Sequence, residues 1–369
     1  GELWRRQRRL IQPYFHPDRI ARYAETMVRE TETLMDEWHP FVRDGRTVDL
    51  RSEMMRLTFR IVGKALLGAD VTGETDAVRG AVDVLQRQTN ERLFSLISLP
   101  LWFPTPDNRE FRLALRTLDD IVYRLIATGR ADRSVSRGVL GALVAAAESN
   151  EGLPDRQIRD EIVTLLLAGH ENTGNALTWL WYLIARHPQV ERRLCAELCE
   201  VLGGRAPAWN DLSKLTYTRM VVEESLRLYP TSWLNLRTAR EDDSIDGFRI
   251  AAGSWILISP YLTHRHPAFW PEPKRFDPER FIPEEKQRRH RFAYVPFGGG
   301  PRKCLGNHFA SSEMALIVAT IARRLRFRPA FSGEVEPQPL VSLPPRGGMP
   351  VTIHDISEDV DGRQSPDIL

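Results

Sequence analysis

The segment Tyr294–Gly306 reads YVPFGGGPRKCLG. It places Cys304, one of only three cysteines, after three consecutive glycines and beside the cations Arg302 and Lys303. Glycines allow backbone conformations that other residues avoid, so the segment can fold tightly enough to direct backbone N–H groups at the sulfur. A helix that starts just after Cys304 would add the positive end of its dipole. Both features stabilise a thiolate.

Four chemistries compete for this loop. A phosphate-binding loop requires Lys-Ser or Lys-Thr after its glycines, and neither follows here. A structural zinc site requires three or four ligands, whereas Cys195 and Cys199 lie far away on another predicted helix. A nucleophilic thiol assisted by a histidine base stays open. An axial thiolate on haem iron suits the glycines and the cation two residues earlier, which can pair with a haem carboxylate.

The ten residues 297–306 match the pattern FxxGxRxCxG at every defined position and so resemble the proximal loop of the cytochrome P450 family. This resemblance implies that Cys304 is the axial ligand of the iron in haem b. It also implies that Arg302 binds a haem propionate and that Phe297 packs near the sulfur. Further cofactor-binding residues of the loop are Gly298 and Gly306.

Other motifs of the same family occur in the expected order. Glu224 and Arg227 have the ExxR spacing, which puts both side chains on one face of a helix where they can pair. With Arg280 of FDPERF they resemble a buried ion-pair triad of the family. Near the start, Trp4 and Arg8 match a WxxxR motif. The resemblance assigns both residues to the haem propionates, together with Arg237.

A long helical pattern runs from Leu153 to Pro188, more than 30 residues that are apolar nearly all round their middle. Such a helix crosses the core of a protein. Its centre contains AGHENT, which resembles the oxygen-binding element of the family. Ala168 and Gly169 would pass over the haem face and leave room for dioxygen, and Glu171 would relay protons from solvent.

One position departs from that element. Where the family usually carries a threonine for proton delivery, this chain has Asn172, and the alcohol follows one residue later as Thr173. An amide hydrogen-bonds but is not an acid. Proton delivery would then use water, Thr173 or a substrate hydroxyl. An atypical reaction is the alternative.

The pattern predicts a mainly α (α+β) fold, with a long central helix over the haem and a small β-rich side after Pro230. Predicted helices cover 4–15, a segment from Pro17, 51–67, 76–93, 108–128, 137–148, 153–188, 189–202, 215–229 and 306–325. Predicted strands lie in LNLRTAR, GFRIAAG and SWILISP. We expect one P450 domain over residues 1–353 and a polar tail over 354–369. The resemblance further implies that this chain lacks the early helices, the first strands and a substrate-capping loop of the family.

Composition narrows the partners. The formal net charge of +2 does not favour nucleic acid, and no stretch approaches the roughly 20 apolar residues of a membrane span. Cysteine usage favours a reducing compartment, so we expect a cytoplasmic protein. The protein is also expected to be a monomer. Basic residues expected on the thiolate side would dock an acidic electron donor, a ferredoxin or flavodoxin. They are Arg5, Arg6, Arg9, Lys286, Arg288, Arg289 and Arg291. Without a flavin or nicotinamide motif in the chain, a separate reductase using NAD(P)H is expected.

The function implied by the resemblance is that of a haem-thiolate monooxygenase, an oxidoreductase that uses O₂ and paired electron donors to oxidise a lipophilic small molecule. Peroxide-driven or oxygen-independent haem chemistry, and a non-catalytic haem-binding remnant, are the alternatives. Expected substrate walls are Leu165, Ala168, Trp233, Leu234, Asn235 and Leu343.

Several further residues have simpler expected roles. His170 should point away from the iron, and Cys195 and Cys199 should be small core residues. Core positions are also expected for Trp179, Trp181 and Trp255. Trp102 and Phe103 are expected either to pack or to line a substrate entrance.

Overall fold

The computed structural model describes residues 1–95, 99–131, 138–148 and 153–356. The described part is mainly helical, as predicted. Its helices are α1 Glu2–Ile11, α2 Pro17–Glu37, α3 His39–Asp44, α4 Leu50–Ile61, α5 Thr75–Phe94, α6 Pro106–Ala131, α7 Val139–Glu148, α8 Asp155–Arg186, α9 Pro188–Leu202, α10 Thr216–Leu228, α11 Pro260–Thr263, α12 Pro283–Arg288 and α13 Asn307–Ala322.

The strands are short and form three antiparallel groups. They are β1 Val48–Asp49, β2 Asn235–Thr238, β3 Asp243–Ile245, β4 Phe248–Ile250, β5 Trp255–Ile258, β6 Leu325–Pro329 and β7 Pro350–Asp355. The order β1-β7-β6 makes a three-stranded sheet, while β2 pairs with β5 and β3 with β4. The β-rich side after Pro230 is therefore confirmed.

Helix α8 organises the molecule. Its 32 residues span about 48 Å at about 1.5 Å per residue. Pro154 precedes its first turn and Pro188 follows its end, because proline is tolerated before a helix but not within one. The N-terminal half, through Leu166, packs in one hydrophobic cluster with α4 to α7. The C-terminal half, from Ala176, packs in a second cluster with α2, α9, α10 and α13.

The segment of α8 between these two clusters contains the polar run from His170 to Asn175. The candidate oxygen element therefore lies at the junction of two cores, where side chains from several elements can reach it.

Some boundaries and burials differ from the expectations. The last helix ends at Ala322 instead of Leu325, because Leu325 begins strand β6. Strand β7 continues to Asp355, so ordered pairing extends two residues beyond the expected domain end at 353. Residues 357–369 of the tail lie outside the described part.

Two residues expected in the core are instead at the surface. Trp255 is 69% exposed, because it stands on a two-stranded sheet and none of the described elements covers its side chain. Cys199 is also exposed, whereas Trp179 and Trp181 are buried as expected.

Candidate active site

The loop around Cys304 is shaped by two glycines in left-handed backbone. Gly298 has φ +70° and Gly300 has φ +67°, a region that residues with a Cβ rarely adopt. The turn brings the backbone N–H of Cys304 to the carbonyl of Phe297 at 2.9 Å. The backbone N–H of Gly306 hydrogen-bonds to the Cys304 sulfur, and α13 begins at the next residue.

The cysteine thiol is reachable by solvent although protein surrounds it closely. Partial loss of hydration raises the pKa of Cys304, while the Gly306 N–H and the cations Arg8 and Lys303 oppose that rise. The free thiol is thus held protonated, and a metal ion that displaces its proton would gain a ready thiolate.

Helix α1 is tied to this loop. Arg8 donates from Nη1 to the carbonyl of Lys303 at 3.2 Å. The guanidinium of Arg302 stacks over the indole of Trp4 at 4.0 Å, and that of Arg8 lies 5.5 Å from the same ring. The structure therefore brings Trp4, Arg8 and Arg302 together beside Cys304.

A buried ion-pair cluster of Glu224, Arg227 and Arg280, which we call the hub, supports the segment that leads to the Cys304 loop. Arg227 donates to both carboxylate oxygens of Glu224 at 2.6 and 2.8 Å, and both side chains are fully buried. Arg280 lies 3.6 Å from the same carboxylate. The remaining N–H groups of Arg227 are taken by three backbone carbonyls, those of His264, Pro273 and Arg275.

His264 connects this hub to the cysteine loop. Its Nδ1 faces the carbonyl of Arg227 at 3.2 Å, and its Nε2 accepts the backbone N–H of Val295 at 2.8 Å. Burial lowers the pKa of His264 to about 3, so the ring stays neutral and keeps accepting from Val295. Sequence reasoning missed this residue, because its two partners are 37 and 31 positions away.

The face of α8 that is open to solvent runs along Thr164, Leu165, Ala168 and Asn172, spaced as one side of a helix. Thr164 and Ala168 are exposed and Leu165 and Asn172 are half-buried, whereas the rest of α8 from His170 to Ile184 is buried. These four residues form one partly open side of α8, the cleft side. Gly169 faces elsewhere: a Cβ there would lie 2.8 Å from Val62 Cγ2. Its small size allows close packing against Val62, the first residue after α4, and the expectation that it makes room for dioxygen stays a prediction.

Glu171 is buried and accepts a hydrogen bond from Ser342. Burial raises the pKa of Glu171, and hydrogen bonds from Ser342 and Gln86 act in the opposite direction. Asn172 is half-buried and donates to the carbonyl of Ala168 at 3.5 Å. Thr173 is buried on a neighbouring face.

His170 is a core residue. Its Nδ1 lies 2.5 Å from the carbonyl of Leu166, its ring packs edge-on against Phe59, and burial lowers its pKa to about 4. The expectation that it does not serve as a ligand is consistent with this packing.

The remaining predicted residues are more dispersed. Arg237 is exposed on β2 and donates to the carbonyl of its neighbour Leu236. Trp233 donates to the carbonyl of Leu340 at 2.8 Å. Four of the predicted substrate-wall residues are half-buried, namely Leu165, Trp233, Leu234 and Asn235. Leu343 is only 2% exposed, and its place in a substrate wall stays a prediction.

The expected basic surface is only partly formed. Arg5 and Arg9 are exposed on α1. Lys286 pairs with Glu223. Arg289 is half-buried, with its guanidinium 4.0 Å from the ring of Trp270. The segment containing Lys286 and Arg289 therefore offers fewer free cations than its sequence suggests.

Within the described ranges, no three His, Cys, Asp or Glu side chains come close enough to hold a metal ion together. In the same residues, no helix is long and apolar enough to cross a membrane.

The family model for cytochrome P450 matches residues 1–350. The chain belongs to the cytochrome P450 family. Among solved structures, that of a P450 heme domain named P450DA has a TM-score of 0.82 at 25% identity, covering 94% of this chain and 76% of that one. Another P450 crystal structure has a TM-score of 0.86 at 24% identity, covering 96% of this chain and 82% of that one, which shows the fold.

Three of the curated relatives come from Streptomyces species. Cyclooctatin synthase of Streptomyces melanosporofaciens is 42% identical over 92% of this chain and 74% of its own length. Cyclooctat-9-en-7-ol 5-monooxygenase of the same organism is 38% identical over 89% and 72%. Pentalenene oxygenase of Streptomyces avermitilis is 35% identical over 92% and 75%.

These similarities confirm the predicted enzyme class, an oxidoreductase of the monooxygenase type. Family membership implies a haem cofactor and O₂. The residues present fit haem: Cys304 offers an accessible sulfur that accepts a backbone N–H, and Trp4, Arg8 and Arg302 gather on one side of it.

Proposed function

We propose that this P450 is a monooxygenase that oxidises a terpenoid-type substrate with electrons from a separate donor. The observation that carries the proposal is the thiol of Cys304, solvent-reachable, hydrogen-bonded by Gly306 and set in a loop that matches the P450 pattern. Haem bound through this sulfur would supply the activation of dioxygen.

The chain's residues would hold and orient that cofactor. Cys304 would ligate the iron, with Phe297, Gly298 and Gly306 shaping the loop. Arg8, Arg237 and Arg302 would neutralise the two propionates, because buried carboxylates require paired charges, and Trp4 would donate its indole N–H to them. Glu224, Arg227 and Arg280 would keep the loop in place through the buried hub.

On the opposite side, Glu171 would store and release a proton. Its raised pKa favours this role, since an acid that ionises nearer to neutral pH exchanges protons more readily. Asn172 and Thr173 would orient water at the cleft. The open face at Leu165 and Ala168 would contact an apolar substrate, with Trp233, Leu234 and Asn235 as further walls.

The substrate class is supported by three relatives whose names refer to cyclooctatin, cyclooctat-9-en-7-ol and pentalenene. The donor would be a ferredoxin or flavodoxin served by an NAD(P)H-dependent reductase, and the exposed Arg5 and Arg9 support an acidic partner. We also propose one domain through β7 and a cytoplasmic location, which the three free cysteines favour.

The test begins with the haem-loaded chain and its Cys304→Ala variant, with Cys199→Ala as the matched control. We expect the parent chain and the control to show the thiolate Soret band of the reduced carbon monoxide complex. Terpene alcohols and hydrocarbons should shift the spin state of the haem iron in both proteins. Both proteins should also oxidise these compounds when the donor, NAD(P)H and O₂ are supplied. The Cys304 variant should lose both properties, and retention of either would refute the proposal.

Asn172 favours one alternative, turnover supported by peroxide, because it replaces the usual alcohol. The same proteins should be assayed with hydrogen peroxide alone. Product formation with peroxide, together with none from donor and O₂, would identify a peroxygenase instead.

A further inference from the structure

Polar side chains from separate elements converge on Glu171. Arg51 at the start of α4 donates from Nε to Oδ1 of Asn175 at 3.0 Å. Nδ2 of Asn175 donates to Oγ of Ser342 at 3.1 Å, and Ser342 donates to Oε1 of Glu171. At the outer end, Asp83 of α5 pairs with Arg51 at 3.5 Å.

The direction of every bond in this chain is determined by Arg51. A guanidinium has only donors, so Oδ1 of Asn175 must face it and Nδ2 must face Ser342. Oγ of Ser342 therefore accepts, and its single proton is left for Glu171. The buried positions of Asn175 and Ser342 exclude competing water from these bonds.

We propose that Ser342, Asn175 and Arg51 are positioning residues for Glu171, whose Oε1 they orient and keep as a hydrogen-bond acceptor. This inference rests on the proposed function, in which Glu171 transfers protons. It adds Ser342 to that function. Ser342 lies between β6 and β7 and belongs to no motif of the oxygen element.

The same chemistry determines what this series of hydrogen bonds cannot do. A guanidinium and an amide retain their protons near neutral pH, so no proton passes from Asp83 through them to Glu171. A fresh proton must reach the carboxylate by another route. The three residues thus set the orientation and acidity of Glu171 and do not supply its proton.

The charged groups that act on Glu171 come from α4 and α5. They are Arg51, which lowers its pKa, and Asp83, which raises it. Ser342 contributes a neutral donor that lowers the pKa further. Loss of this donor should raise the pKa of Glu171, because less then counteracts the effect of burial. Glu171 should therefore hold its proton to higher pH.

The experiment uses the haem-loaded full chain and follows the infrared carboxyl stretch of Glu171 against pH, assigned by its loss in Glu171→Gln. Ser342→Ala removes the donor, and Ser342→Thr keeps a hydroxyl. Asn175→Asp is the second test variant, because an acceptor at that position turns the Ser342 proton away from Glu171. Thr178→Val is the matched control, since this buried hydroxyl on α8 donates to the carbonyl of Gly174, within its own helix.

We expect Ser342→Ala and Asn175→Asp to move the protonation midpoint to higher pH, and Ser342→Ala to raise the stretching frequency. Product formed per NAD(P)H consumed should fall about tenfold in Ser342→Ala, as expected for losing a hydrogen bond to a charged group. Ser342→Thr should restore the parent values, and Thr178→Val should match them. Parent-like titration in both test variants, or an equal shift in the control, would overturn the inference. A parent chain without monooxygenase activity would refute the proposed function alone, because the infrared titration does not require turnover.

Discussion

Glu313 is a carboxylic acid buried in α13, nine residues after Cys304. Neither of its oxygens has a hydrogen-bond partner in the described residues, and its side chain is inaccessible to solvent. Burial raises the pKa of Glu313 well above its usual range. The folded protein therefore holds this proton, whereas the unfolded chain releases it above the ordinary pKa.

This difference makes stability depend on pH. Between the ordinary glutamate pKa and the raised pKa of Glu313, the folded state binds more protons than the unfolded state. The free energy of unfolding therefore falls as pH rises through that window, by up to about 1.4 kcal/mol per pH unit for this one group. Glu313→Gln should remove that decline. Denaturant unfolding between about pH 5 and about pH 8 measures it, and exposed Glu284→Gln should keep the parent slope. If the free energy of unfolding of Glu313→Gln changes with pH as it does in the parent, Glu313 ionises normally.

At this scale, local spacing made part of the site predictable. Cys304 and Arg302 share one short motif, and Glu224 and Arg227 share one helix turn. Ser342 carries no such signal, because its partners lie 167 and 171 positions away and only the folded chain brings them together. Glu313 was missed for a similar reason, since its exceptional property is burial.

Among the elements, the contact of α8 with the turn after α4 is unusually close at Gly169. Gly169→Ala should destabilise the protein by about 1–3 kcal/mol, because the new methyl group meets Val62. Val62→Ala should relieve the clash in a double-mutant cycle. Gly80→Ala on α5, where a Cβ meets nothing within 4 Å, is the control and should be neutral or stabilising. Independent effects at positions 62 and 169 would contradict this packing.

The hub on α10 permits a second test. Arg227→Lys should lose about 3–5 kcal/mol of stability together with haem content, because lysine cannot satisfy the carboxylate of Glu224 and three carbonyls at once. Unfolding curves and the ratio of haem to protein absorbance report the loss. Arg249→Lys, in an exposed pair with Asp242, should change stability by less than about 0.5 kcal/mol. Equal effects of both lysine variants would argue against a structural hub.

Helices were easier to predict than strands for a physical reason. The apolar period of α8 and its flanking prolines are local, so both ends could be placed within two residues. Strand β1 has two residues and pairs with β7 about 300 positions later, so no local pattern exists. Gly169 likewise packs closely against Val62, and the apolar periodicity of the sequence does not reveal such a contact.

Across the whole molecule, charge could be anticipated only in part. The exposed Arg5 and Arg9 were identifiable because they lie on one helix with Trp4. The pairing of Lys286 and the stacking of Arg289 depend on α10 and on Trp270, which are remote in sequence. Net charge near zero thus hides a local basic face on α1.

That face gives the molecular-scale prediction. Arg5→Glu combined with Arg9→Glu should raise the KM for an acidic ferredoxin or flavodoxin about tenfold and leave the substrate-induced spin shift unchanged. The difference from the parent should shrink in high salt because exposed charges are screened. Arg249→Glu reverses a distant surface charge and should have little effect. Salt-independent loss of activity would point to misfolding of α1 instead of weaker docking.

Asp49 illustrates how late in synthesis the molecule can be completed. Its side chain caps α4 and also accepts the backbone N–H of Met349, and β1 pairs with residues 350–351. A chain emerging from the ribosome therefore contains α4 long before the strand that closes over its first turn. Until residue 355 has left the exit tunnel, the three-stranded sheet lacks its complete central strand, so nascent chains arrested earlier should remain open to proteases at that edge.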